Sequence, residues 1–279
     1  MRRSAVAGTW YAGTAVALRR QIEDCFMHGL GPGLLPGGPR STKRRVLGLV
    51  SPHAGYMFSG PVASHGYLKL ASEPRPHTVV IVGPNHSGLG ADVAVSREDR
   101  WQTPLGDVEV DAAAAGAVVS GSHWAEWDDL AHAREHSAEL QLPFLQYIYG
   151  EGFQVVVIAM LVQNLEVSQD VGKAIAASLK GKDGLVVASS DFSHYEVRSV
   201  ARRKDNLAIE AILSLEPRRL AEAVVKHDIS MCGPGPVMAM LTACKELGAT
   251  SAELLRYATS GDITGDAQVV GYASVVVSA

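Results

Sequence analysis

The chain has 279 residues, 47% of them hydrophobic and 19% charged, with a net charge of −4. That balance describes a packed globule and excludes a disordered chain. With no basic stripe interleaved with aromatics, it also argues against a nucleic-acid binder. The Lys43-Arg44-Arg45 cluster reads as the flank of the first strand. The longest apolar run, Val155 to Val162, is far too short for a membrane span. The N-terminal stretch is interrupted by Gly8, Thr9, Gly13 and Thr14, unlike a secretory leader. Cys25, Cys232 and Cys244 are too few and odd for a disulfide framework, so reduced thiols and a cytoplasmic setting are expected.

In chain order, Ala15 to Met27 predicts an amphipathic helix, and the Gly/Pro-rich stretch from Gly29 to Arg40 predicts a loop. The runs Val46–Val50, Thr78–Val82, Val155–Val162 and Leu185–Ala188 are continuous rather than alternating. Such runs suit strands buried on both faces. Helices are predicted near Pro61–Ala71, Ser137–Tyr149, Glu166–Leu179, Val200–Leu213, Pro217–His227 and Pro234–Leu247. Arg97 to Asp111 predicts a hairpin turning at Thr103-Pro104-Leu105-Gly106. The last two strands, Glu253–Thr259 and Gln268–Val277, are expected to form a sheet edge, with the apolar final strand exposed and needing cover. Together these describe one α/β domain spanning 1–279, with a mainly parallel central sheet flanked by helices on both sides.

In open α/β sheets ligands bind beyond the carboxyl ends of the strands. Three of the apolar runs are each followed by a histidine: Ser51-Pro52-His53, Gly83-Pro84-Asn85-His86, and Ser189-Ser190-Asp191-Phe192-Ser193-His194. A single histidine there would ordinarily cap a strand or bond a loop carbonyl. Three at equivalent positions point to a metal or acid–base constellation, provided the strands are parallel neighbours. His136, in Glu135-His136-Ser137-Ala138-Glu139, reads as the start of a helix capped by Ser137 and facing the same cleft. Cys232, in Ser230-Met231-Cys232-Gly233-Pro234-Gly235-Pro236, is the fourth candidate; a thiol before a helix should gain acidity from the helix dipole. The other histidines and cysteines read as structural. No phosphate-binding glycine loop and no serine nucleophile elbow are present.

Five segments occur in order: Ala5-Val6-Ala7-Gly8-Thr9-Trp10-Tyr11, Ser51-Pro52-His53-Ala54-Gly55-Tyr56, Gly83-Pro84-Asn85-His86, Glu135-His136-Ser137-Ala138-Glu139 and Ser189-Ser190-Asp191-Phe192-Ser193-His194-Tyr195. With them the chain resembles the Memo (mediator of cell motility) family from about residue 3 to its end. The resemblance implies a fold similar to class III extradiol (LigB-like) dioxygenases. It implies a metal site at His53, His86 and Cys232, with His194 as an acid–base residue and Asp191 beside it. Trp10, Tyr56, His136 and Arg198 are then the candidate substrate-binding residues, with Trp10 at the mouth of the cleft. It further implies association with a radical S-adenosylmethionine protein. The dioxygenases hold iron with two histidines and a carboxylate; here a thiolate takes the third place, which moves preference toward copper(I), zinc or thiolate-bound iron. Three functions stay open: an oxidoreductase using iron first and copper second, a zinc hydrolase, and a non-catalytic binder of a metal, peptide or small molecule.

Overall fold

The computed structural model describes residues 1–279. After the arm Met1–Thr14 the chain forms α1 (Ala15–Met27), capped by the Thr14 hydroxyl, then β1 (Val46–Ser51), α2 (Tyr56–Ala71) and β2 (Thr78–Pro84). Next come β3 (Val93–Val95), the hairpin β4 (Arg100–Thr103) and β5 (Gly106–Val110), α3 (Ala112–Gly121) and β6 (Ala125–Trp127). A single 3-10 turn (Glu139–Gln141) leads into α4 (Leu142–Tyr149), followed by β7 (Gln154–Met160), α5 (Leu165–Leu179) and β8 (Gly184–Ser189). The rest is β9 (Glu196–Val197), α6 (Arg198–Leu213), α7 (Pro217–Lys226), α8 (Pro234–Glu246), β10 (Ser251–Thr259), the short α9 (Gly261–Thr264), β11 (Gln268–Val269) and β12 (Gly271–Ser278).

Ten strands form one sheet in the order β10-β12-β1-β8-β2-β7-β3-β6, with β5 also on β7 and β4 on β5. The centre is parallel: β8 pairs with β1 on one side and β2 on the other, and β2 pairs with β7. The continuous apolar runs follow from burial on both faces. Along β2, Val79 and Ile81 enter a core shared with α1, α2 and α4, while Val80 and Val82 enter one built from α3, α5, α6 and α8. Alternating side chains of one strand thus feed two cores, so no polar residue interrupts it. Arg44 and Arg45 make contacts within the chain, to Asp183 and to the Ala279 carbonyl.

Two expectations need correction. The final strand is not an exposed edge: β12 lies between β10 and β1, antiparallel to both, and β10 is the edge. Its seven consecutive buried residues, Gly271 to Val277, are those of an interior strand. Gln268 and Val269 leave this sheet and pair with β9 in a separate two-stranded ribbon. The helix containing Pro61 begins at Tyr56, since a proline in the second turn is tolerated when packing holds the helix. Among the elements that went unread, three have a clear reason. The residues of α3 are nearly all small and apolar, so they show no period, although its cap is visible in Asp111, whose carboxylate accepts from the Ala114 N–H. The three-residue strands β3 and β6 are too short to show alternation.

Candidate metal centre

The adjacency of β1, β8 and β2 brings their carboxyl ends to one rim. His53 follows β1, His86 follows β2, and Asp191 and His194 follow β8. Cys232 arrives from the loop before α8, which packs on the same three strands. One ligand atom from each of His53, His86 and Cys232 lies within 4.8 Å of the other two. His53 Nε2 is 3.3 Å from Cys232 Sγ, and the His53 and His86 rings stand edge to face with centroids 5.3 Å apart. Two imidazole nitrogens and a sulfur at this spacing match the donor set of a transition-metal site.

The His53 tautomer follows from its neighbours. Its Nδ1 is 2.8 Å from Ser189 Oγ. That hydroxyl gives its one hydrogen to the Ser137 carbonyl and accepts from the Gln141 side-chain amide, each at 2.7 Å. Gln141 is itself oriented by the Pro52 carbonyl and the Tyr67 hydroxyl. With its hydrogen committed, Ser189 accepts from His53 Nδ1–H, and the free lone pair is on Nε2, facing the sulfur. Burial, reinforced by the nearby His136 and His86 rings, holds the His53 pKa well below the usual histidine range. The ring is therefore neutral at about pH 7, with its Nε2 lone pair unprotonated.

His194 is set in the same way. Its Nδ1 donates to the Ser230 carbonyl at 2.9 Å, which puts the lone pair of the neutral ring on Nε2, and its backbone N–H donates to Ser230 Oγ at 2.8 Å. Asp191 is buried, and its carboxylate accepts from the His53 backbone N–H at 2.8 Å. Burial raises its pKa. Its main chain grips Cys232: the Asp191 N–H points at Sγ (3.2 Å), and the Cys232 N–H donates to the Asp191 carbonyl (3.3 Å). The loop 230–232 thus fixes both the His194 ring and the Cys232 thiol. The expected helix-dipole acidity of Cys232 is not found in the metal-free chain, because burial and the Asp191 charge push the thiol upward. The thiol is one residue outside the cap position Gly233 and shares its surroundings with a carboxylate.

His136 packs beside the His53 and His86 rings, but the helix it was expected to begin starts later, at Glu139, and Ser137 donates to the Pro84 carbonyl rather than capping. Its ring stacks on His86 (centroids 4.7 Å, planes 19° apart) and touches Trp10 (4.1 Å). Trp10 is 38% exposed and lines an open, largely apolar cleft of about 480 Å³ with Ala54, Met57, Phe58, Tyr195 and Tyr272. Tyr56 is not in this cleft: it is buried against Tyr11 and Phe144, and its hydroxyl donates to the Leu140 carbonyl. The Arg198 guanidinium is ion-paired with Asp262. Sequence reasoning missed Glu135 and Ser189, which hydrogen-bond the two candidate histidine ligands; an acidic residue beside a candidate histidine is the only local signal.

Burial holds His132 and His136 each at about 4, below the ordinary histidine value. The unfolded chain therefore binds protons that the folded chain excludes between about pH 6.5 and 4, and stability falls as pH drops through that window, levelling off below it. For fully buried His132 alone the loss at pH 5 is about 2 kcal/mol. Urea unfolding of the metal-free protein at pH 7 and pH 5 checks this; equal midpoints would contradict it.

The sheet order and the rim of histidines place the chain among α/β proteins with a candidate metal cleft at the strand ends. Comparison with known proteins then shows that it belongs to the Memo family, whose model, described as "Memo-like protein", matches residues 2–276. It is 48% identical over 281 residues to a MEMO1 family protein of Methanopyrus kandleri, covering 99% of this chain and 98% of that one. It is 45% identical to one from Methanothermobacter thermautotrophicus (98% and 99% covered) and 41% to one from Nitrosopumilus maritimus (99% and 98%). Among solved structures it is similar in fold to an uncharacterized protein of Escherichia coli K12, with TM-score 0.60 at 16% identity over 84% of this chain and 100% of that chain. No helix is long and apolar enough to cross a membrane.

Proposed function

We propose that the chain binds a redox-active metal, iron first and copper second, at His53, His86 and Cys232, and uses it in a dioxygenase-like oxidoreduction of a small substrate. The observation that carries this reading is the clustering of three ligand atoms within 4.8 Å beside an open cleft. When bound, such a metal supplies a Lewis acid and an electron-transfer centre. The chain's own residues do the rest. Trp10, Met57, Phe58 and Tyr195 form apolar walls that exclude water from one side of a substrate. His194, held as the Nδ1–H tautomer by Ser230, offers its Nε2 lone pair to a substrate proton. Asp191 holds the His53 loop against the Cys232 loop, keeping the ligands in register.

Two histidines and a thiolate also form a workable zinc set, in which case hydrolysis is the chemistry and His194 or Asp191 the base. Metal identity separates the two. Protein purified without chelator should carry near-stoichiometric iron or copper by mass spectrometry; stoichiometric zinc redirects the reading to hydrolysis. No metal after reconstitution would sink the centre and leave a binding cleft for a peptide or small molecule. A partnership with a radical S-adenosylmethionine protein belongs to the same proposal and is tested by co-purification.

His194→Ala should keep its metal, since His194 is outside the ligand cluster. Metal-dependent oxygen consumption should fall about 100-fold or more, the usual scale for losing an acid–base group. Oxygen uptake measured on the metal-loaded variant checks it, and undiminished uptake would remove the residue from the mechanism.

A further inference from the structure

Glu135 is buried beneath the candidate centre, and hydrogen-bond donors surround it. One carboxylate oxygen accepts from the His86 backbone N–H at 2.5 Å. The other lies 3.0 Å from His86 Nδ1 and accepts from the backbone N–H groups of His136 and Ser137, each at 2.9 Å. Its second imidazole neighbour, His136 Nδ1, is 3.4 Å away.

His86, Glu135 and His136 could by distance alone form a second metal group, sharing His86 with the first. The two groups exclude each other. A neutral imidazole has one lone pair and one N–H. A metal between Glu135 and His86 would take the Nδ1 lone pair, leaving Nε2 protonated and useless to the cluster with His53 and Cys232. It would also displace backbone N–H groups that have no other acceptor. An ionised carboxylate has no hydrogen to give, so the hydrogen between it and Nδ1 is on the ring.

We propose that Glu135 is the positioning residue of the centre: it fixes His86 as the Nδ1–H tautomer, commits Nε2 to the site shared with His53 and Cys232, and closes the second group to metal. This rests on the metal-centre reading above, and the first part of its test needs no metal. In two-bond nitrogen–proton spectra of metal-free, histidine-labelled protein, the His86 signal, assigned by its loss in His86→Gln, should be that of an Nδ1–H ring. An Nε2–H ring would overturn the proposal, whether or not the Glu135 variant folds.

Glu135→Gln keeps the shape but turns an NH₂ toward at least one N–H, so the His86 ring should lose its single tautomer. Zinc affinity, read by competition with a chelating dye, should fall about 10- to 100-fold, the scale for losing an orienting partner of a ligand. Unchanged zinc affinity in a folded Glu135→Gln protein would overturn the proposal, as would two zinc ions per wild-type chain. Should wild-type protein bind no zinc, iron or copper at all, the metal-centre reading fails while the tautomer measurement still decides the orienting role.

Discussion

Cys232→Ser and His53→Ala are each expected to abolish metal binding at the proposed centre while leaving the protein folded. Serine matches cysteine in size, and its hydroxyl can still accept the Asp191 N–H that now points at Sγ. It cannot ionise near neutral pH, however, and it is a hard donor where a soft one is needed. His53→Ala removes the ring that bonds Ser189, but the Ser189 hydroxyl keeps Ser137 and Gln141, so no buried group is stranded. Loss of one of three protein ligands should exceed the ~10- to 100-fold cost of losing an orienting partner. Metal per chain should drop from near one to under about a tenth, by the same ligand logic. Mass spectrometry after reconstitution with iron(II), copper(I) and zinc in turn checks this, with circular dichroism as the folding control. Full retention of metal in either variant would place the ion elsewhere.

The second large effect concerns stability. Glu139 is buried and binds four groups of the N-terminal arm: the Arg2 guanidinium, the backbone N–H groups of Ala5 and Val6, and the Tyr11 hydroxyl. Arg2 is buried too, lying over the Trp101 ring and donating to the His132 and Glu135 carbonyls. Glu139→Ala would leave the buried Arg2 charge without its counter-ion and the buried Tyr11 hydroxyl without its acceptor. Breaking a buried ion pair from one side costs about 3–5 kcal/mol, and urea unfolding should show a loss of that order. A loss below about 1 kcal/mol would mean that water replaces the carboxylate at little cost. Because the arm carries Trp10 to the cleft, the same variant should weaken any ligand that stacks on that ring.

The reach and limits of the sequence follow from these particulars. The rim was legible because burial on both faces leaves uninterrupted apolar runs, and the residues after each run must lie at a strand end. His53, His86 and His194 were found in that way, and the order β1-β8-β2 makes them neighbours. Cys232 came from its motif and from the resemblance, since nothing in local spacing says which strands α8 will cover. Tyr56 shows where a motif misleads: it lies three positions after His53, yet its side chain is core, with its hydroxyl on the Leu140 carbonyl. Arg198 is next to the cleft loop in sequence but turns toward Asp262, a partner more than sixty positions away that no local pattern could reveal. The orienting roles of Ser189 and Gln141 also depend on contacts between distant segments.

The placement of β12 has a consequence for how the molecule is made. β1 is made more than two hundred residues before β12, one of its two partners, with Val46 opposite Ser278. Until that strand arrives, one side of β1 has no hydrogen-bonding neighbour, and the loop carrying His53 hangs from a half-paired strand. Such long-range closure is slow because the chain's entropy must be given up before the contacts form. During synthesis β1 is an open edge that invites strands from other chains. The candidate centre is thus completed only once β12 has been made and has paired, and a nascent chain that lacks it has no finished site in which to trap a metal.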